Sequence, residues 1–70
     1  MNGHEFLRKL KRLAKDRKIQ VVHEPAHGKG SHGTVFFGTA HTTLKDPKKE
    51  IGPGLLSSMC RDLGIRRTDL

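Results

Sequence analysis

An α+β domain in the order α-β-β-β-α, a three-stranded antiparallel sheet with two helices on one face, is the fold the sequence predicts. Three observations predict it. Apolar residues recur at helical spacing near both ends of the chain, at Phe6, Leu7, Leu10, Leu13 and Ala14 and again at Leu55, Leu56, Met59, Cys60 and Leu63. Between them lie short segments too closely spaced for parallel crossovers, which need a dozen or more connecting residues, so antiparallel hairpins are expected. The 70 residues hold one small domain, 1–70, and a single sheet face gives both apolar stripes somewhere to go.

Taken in order, Asn2 with Glu5 three positions later forms a capping-box entry to a first helix over residues 3–17. Its other faces carry Arg8, Lys9, Lys11, Arg12, Lys15 and Lys18. Residues 19–23 are β-branched and read as a first strand. Residues 24–31, with Pro25, Gly28 and Gly30, read as a loop. A second strand is expected over 34–39 and a third over 41–44, joined by a tight turn near 38–40. Residues 45–53 read as a charged connection. Pro53 suits the first position of a second helix, and Gly64 followed by Ile65 suits a left-handed C-cap with its apolar contact. Residues 66–70 read as a short tail.

Fourteen Lys and Arg against seven Asp and Glu give a formal net charge of +7, the electrostatic signature of a nucleic-acid binder or of a partner for an acidic protein. Tyr and Trp are absent and only three Phe are present, so an aromatic platform for base stacking is poorly supplied. A single cysteine, Cys60, excludes an intramolecular disulfide and a four-cysteine zinc site, and is consistent with the cytoplasm. No apolar run approaches the roughly 18 to 20 residues needed to span a bilayer, and the N-terminus lacks the apolar stretch of a signal peptide, so no membrane association is expected.

The segment Gly28-Lys29-Gly30-Ser31-His32-Gly33, followed by Thr34-Val35-Phe36-Phe37, carries the most chemistry. It satisfies G-x-G-x-x-G, yet a dinucleotide fingerprint must lie between a strand and a helix, and here a strand follows. A kinase would need a catalytic loop and metal ligands that the chain does not contain, and no Lys-Ser or Lys-Thr follows Gly33 to make a P-loop. His23, His27 and His32 fall within ten residues, but without Cys, and with Glu24 as the single carboxylate among them, they make a weak zinc signal, so no metal or cofactor is expected. What remains is an imidazole, able to exchange a proton near neutral pH, between small residues at a strand entrance of a basic protein. RNA cleavage by attack of the neighbouring 2′-hydroxyl needs a general acid or base and charge stabilisation at the phosphate. A positioned His contributes about 10²- to 10⁴-fold to such proton transfers. Cations and backbone N–H groups stabilise the charged transition state.

The chain resembles the HicA-type toxins, the mRNA interferases of HicA/HicB toxin–antitoxin pairs. Asn2-Gly3-His4-Glu5-Phe6-Leu7-Arg8-Lys9-Leu10 resembles that family's first helix, Gly30-Ser31-His32 followed by Val35 and Phe36 its glycine-serine-histidine strand entry, and Gly54-Leu55-Leu56-Ser57-Ser58-Met59 through Leu63-Gly64-Ile65 its second helix and cap. The resemblance implies a double-stranded-RNA-binding-domain-like fold, with His32 as the catalytic histidine of a metal-independent, ribosome-independent endoribonuclease that arrests translation. It also implies a HicB-like antitoxin partner that covers His32 in a hetero-oligomer, the free toxin being a monomer. The chain departs from the family where Thr43-Leu44-Lys45-Asp46-Pro47 stands in place of a proline-histidine element, so no role passes to Lys45 or Asp46.

On this reading Ser31 positions phosphate or His32, Gly30 and Gly33 permit close approach, and Lys29 is the cation nearest in sequence. Arg8, Lys11, Arg12 and Lys15 either grip the RNA backbone or form an ordinary solvated face. The second proton-transfer partner is open between water, a substrate group and another histidine, His27 and His41 being second-tier candidates. A non-catalytic double-stranded-RNA-binding module is the competing expectation, since such domains read shape without a poised histidine. A basic adaptor for an acidic protein is a third.

Overall fold

The computed structural model describes residues 1–28 and 32–70. Its elements run α1 (Gly3–Arg17), β1 (Val21–Glu24), β2 (Gly33–Phe37), β3 (Ala40–Leu44) and α2 (Pro53–Leu63), followed by a 3₁₀ turn at Arg67–Asp69. The three strands form one antiparallel sheet in the order β1-β2-β3, so β2 is central and β1 and β3 are both edges.

Helix α1 begins where its cap chemistry dictates. The Asn2 side chain accepts from the Glu5 backbone N–H at 2.9 Å, while the Glu5 carboxylate accepts from the Asn2 N–H at 3.3 Å. The helix ends at Lys18, whose φ of 56° is left-handed for a residue that carries a Cβ. Ile19 is consumed by this ending: its N–H donates to Ala14 O at 2.8 Å. That is why β1 starts at Val21 rather than at residue 19, and it extends through Glu24 instead of stopping at 23. The hairpin between β2 and β3 turns on Gly38 (φ 63°), with the strands beginning at Gly33 and Ala40.

Alternation divides the sheet cleanly. Val35, Phe37, Thr42 and Leu44 are buried on one face, packed with Phe6, Leu10 and Ala14 of α1 and Leu56, Met59, Cys60 and Leu63 of α2. Both helices therefore cover the same face. Val22, Glu24, Thr34, Phe36, His41 and Thr43 alternate onto the other, uncovered face. Thr42 is buried, and its hydroxyl donates to Asp62 of α2 at 2.8 Å, tying the helix to the edge strand.

Three expectations change. Leu55 is 54% exposed although it belongs to the second apolar stripe, because the buried Leu56, Met59, Cys60 and Leu63 span about 100° of the helix and Leu55 lies about 90° from their centre, at the edge of the stripe. The charged connection contributes Ile51 to the core, held by its N–H donating to Met1 O at 2.8 Å. The tail folds into the 3₁₀ turn, and Asp69 there pairs with Arg17 of α1 at 3.2 Å.

Candidate active site

His32 is exposed and stands immediately before Gly33, at the head of the central strand. The last rung pairing β2 with β3 is Gly33 against Leu44. One residue past that rung, the two antiparallel chains continue as His32 on one side and Lys45 on the other, both exposed. The register, carried one step further along the backbone, sets Lys45 opposite His32. Sequence reasoning missed Lys45 because thirteen positions separate the two residues, although the tight turn at Gly38 already fixes which residues face each other. Chemically, the pair offers a proton-transfer group and a fixed positive charge at one end of the sheet.

Several other segments meet at this end. Gly3, in the first turn of α1, leaves no room for a side chain: a Cβ there would lie 2.6 Å from Pro47 Cα and 3.1 Å from Leu44 Cδ1. His4 N–H donates to Pro47 O at 3.0 Å. The start of α1 is therefore seated beside the end of β3, while its far end, at Ile19, packs against Gly38 at the opposite end of the sheet. Next to Lys45 a cleft of about 200 Å³ opens between the end of β3 and α2, floored by Leu44, Ile51 and Met59 and edged by Lys49 and the exposed Leu55.

Gly33 has a packing role of its own. The space its missing side chain leaves is filled by the protein's own backbone, since a Cβ would lie 2.8 Å from Leu44 O, 3.0 Å from Glu24 O and 3.2 Å from Ala26 N. The residue is small so that both neighbouring chain segments can close on it. Lys29, Gly30 and Ser31 lie outside the described residues.

The four cations expected to grip RNA fall on one stripe. Arg8, Lys11, Arg12 and Lys15 are spaced i, i+3, i+4, i+7 and all are exposed. The stripe made by Phe6, Leu10, Leu13 and Ala14 lies on the opposite side of the helix against the core. The cations accordingly look outward from the helical layer, whereas His32 stands at the end of the sheet layer. They constitute a separate basic surface, with Arg8 on the half of α1 nearer the His32 end.

Of the other histidines, His4 is exposed in the first turn of α1, at the end of the sheet where His32 stands. His27 is exposed in the loop after β1, His23 is half-buried on the helix side of the sheet, and His41 lies on the uncovered face. Among the described residues no three of His, Cys, Asp and Glu come close enough together to hold a metal ion. Cys60 is buried among the core residues, and that burial pushes its thiol pKa up, which keeps it protonated and unreactive. Among the described residues no helix is long and apolar enough to cross a membrane.

Set against models of known protein families, curated proteins and solved structures, the chain matches none of them.

Proposed function

We propose that the protein is a HicA-like toxin of a type II toxin–antitoxin pair, a metal-independent endoribonuclease that cleaves mRNA with His32 as general acid or base. The observation that carries the proposal is the exposed imidazole at the head of the central strand, one residue past a rung whose other side continues into Lys45. The α-β-β-β-α order and the three sequence segments that resemble the family support it further.

Cleavage follows from ordinary phosphodiester chemistry. The 2′-hydroxyl loses its proton and its oxygen attacks the adjacent phosphorus. The bond to the 5′-oxygen breaks, leaving a 2′,3′-cyclic phosphate and a 5′-hydroxyl that takes up a proton. His32 mediates one of these two transfers, acting neutral as base or protonated as acid. Lys45 offsets the negative charge that grows on the non-bridging oxygens. The other transfer falls to water, a substrate group or a second histidine, and no cofactor is required. The stripe Arg8, Lys11, Arg12 and Lys15 holds the backbone of the same RNA at a distance from the chemistry. A HicB-like antitoxin in the cytoplasm would silence the toxin by covering His32 in a hetero-oligomer, the free toxin being monomeric.

The test compares wild type with His32→Ala and Lys45→Ala in RNA cleavage and growth arrest. His32→Ala should lower the cleavage rate by about 10² to 10⁴-fold, and Lys45→Ala should lower it less while leaving the melting temperature in place. Equal cleavage by wild type and His32→Ala would sink the assignment. The outward stripe on α1 is the feature that favours the competing reading, a non-catalytic double-stranded-RNA-binding module. That reading prevails if neither protein cleaves and both bind duplex RNA with a steep salt dependence.

A further inference from the structure

The uncovered face of the sheet is ordered along its length by chemistry. At one end, a single line across the strands holds Val22, Phe36 and His41, from the pairings Val22 with Phe36 and Phe36 with His41. The next line on that face holds Glu24, Thr34 and Thr43. Past the last rung, Gly33 with Leu44, the two chains run on into His32 and Lys45, both exposed at this end of the sheet. Rings lie at one end, hydroxyls and a carboxylate in the middle, and an imidazole with an ammonium at the other. A nucleotide has the same sequence of parts: a flat base, a hydroxylated sugar and a phosphate.

Phe36 is the one phenylalanine of the three not in the core, Phe6 and Phe37 being buried. Its ring lies 6.0 Å from that of His41, tilted by 41°. Val22 beside it is 39% exposed and extends the apolar surface next to the ring. A sheet face of this kind presents ring surface to solvent without a covering helix. Composition alone hid this, because three Phe in a chain look too few for stacking until the fold shows which of them is on the surface.

We propose that Phe36 and His41, with Val22 alongside, form a stacking subsite for one unpaired base of single-stranded RNA. The occupant is argued from the charge of the chain, +7, which favours a polyanion, and from the continuity of this face with His32 and Lys45. Four residues separate Phe36 from His32 along an antiparallel strand, a span of roughly 13 Å. A base seated on Phe36 therefore places a phosphate of the same strand, a short step along, at the His32 end. In its consequence for cleavage this rests on the ribonuclease proposal. The substrate is then single-stranded at the cut, and the identity of a base near the scissile bond, not at it, biases where cutting falls. Thr34 and Thr43 face the intervening sugar.

The test uses short single-stranded RNAs carrying one 2-aminopurine, whose fluorescence is quenched when it stacks, moved position by position along the strand. The protein is the full chain with His32→Ala, so that the RNA survives the measurement. Quenching at one position is expected. Adding Phe36→Leu should abolish it and weaken binding about tenfold, within the range for removing one stacking ring, and Phe36→Tyr should retain both. Val22→Glu, at an exposed position that does not threaten the fold, should also abolish the quenching by setting a carboxylate beside the base. Quenching and affinity unchanged in Phe36→Leu and Val22→Glu would overturn the subsite, and would leave the ribonuclease proposal intact if wild type cleaves. Phe36-dependent quenching in a chain whose wild type cleaves nothing would sustain the subsite and defeat the ribonuclease proposal. Absence of quenching, with dimerisation in sedimentation that Val22→Glu removes, would assign the face to a second copy of the chain instead.

Discussion

Replacing Gly33 with alanine separates a glycine that serves the fold from one that serves a substrate. The added methyl would meet Leu44 O at 2.8 Å, Glu24 O at 3.0 Å and Ala26 N at 3.2 Å, all backbone atoms from the segments on either side of β2. None of these is the end of a flexible side chain, so relief requires moving β1 or β3 away from the central strand. Overpacking typically costs about 1 to 3 kcal/mol, and opposed backbones on two sides put Gly33→Ala near the upper end. A chain of this length has a total stability of about 3.5 to 10 kcal/mol. A loss of about 3 kcal/mol corresponds to a melting temperature roughly 12 to 24 °C lower. Thermal and urea denaturation measure this directly, with Gly54→Ala as the comparison, because nothing lies within 4 Å of a Cβ at that helical position. Gly54→Ala should be neutral or stabilising by less than about 1 kcal/mol. If Gly33→Ala melts within a few degrees of wild type but fails to cleave RNA, the glycine is there for the substrate and the packing argument is refuted.

Two further predictions concern titrating groups. Cys60, buried and protonated, should react with a thiol reagent at pH 8 about a thousandfold or more slowly than in urea, since labelling must wait for the unfolded fraction; labelling at comparable rates would mean that α2 opens independently of the core. The Asp69 carboxyl is held below the usual range first by the Arg66 N–H, which donates to it at 2.9 Å, and then by Arg17. The folded state binds that proton less readily than the unfolded one, so the contribution is complete above the ordinary carboxylate range and is lost as pH falls through the lowered value. Asp69→Asn should lower the melting temperature slightly at neutral pH and converge with wild type in acid, which flattens that part of the acid limb of a stability titration; an unaltered acid limb would show that the 3₁₀ turn is not held this way.

Local rules that act within a few residues were readable in the sequence. The span of α1, its Asn2–Glu5 capping box, the left-handed Gly64 cap, the order of elements and the antiparallel connections all follow from spacing and side-chain chemistry. What escaped depends on tertiary contact. Lys18 gives no glycine signal for a left-handed helix end, so Ile19 was read into the strand. Ile51 sits in a charged segment, and only the seat beside Met1 buries it. Leu55 fits an apolar count and fails the helical angle. At the site, His32 was legible as a glycine-flanked imidazole at a strand entrance. Lys45 was not, because its position is set by strand register across the hairpin, and the packing role of Gly33 shows only once its neighbours are known. Whether Lys29, Gly30 and Ser31 contribute lies outside the described residues.

The central position of β2 has a consequence for when the protein becomes competent during its synthesis. His32 stands at the head of a strand that both neighbours flank, and the core that fixes those neighbours draws on residues from Phe6 to Ile65. A shorter stretch of the nascent chain lacks part of that core, so α1, β1 and β2 emerge from the ribosome before the residues of α2 that they pack with. The His32 end is assembled in the same cooperative event that buries Met59, Cys60 and Leu63. Whatever chemistry resides there is timed to the last step of folding, and a truncated or stalled chain carries the residues without their arrangement.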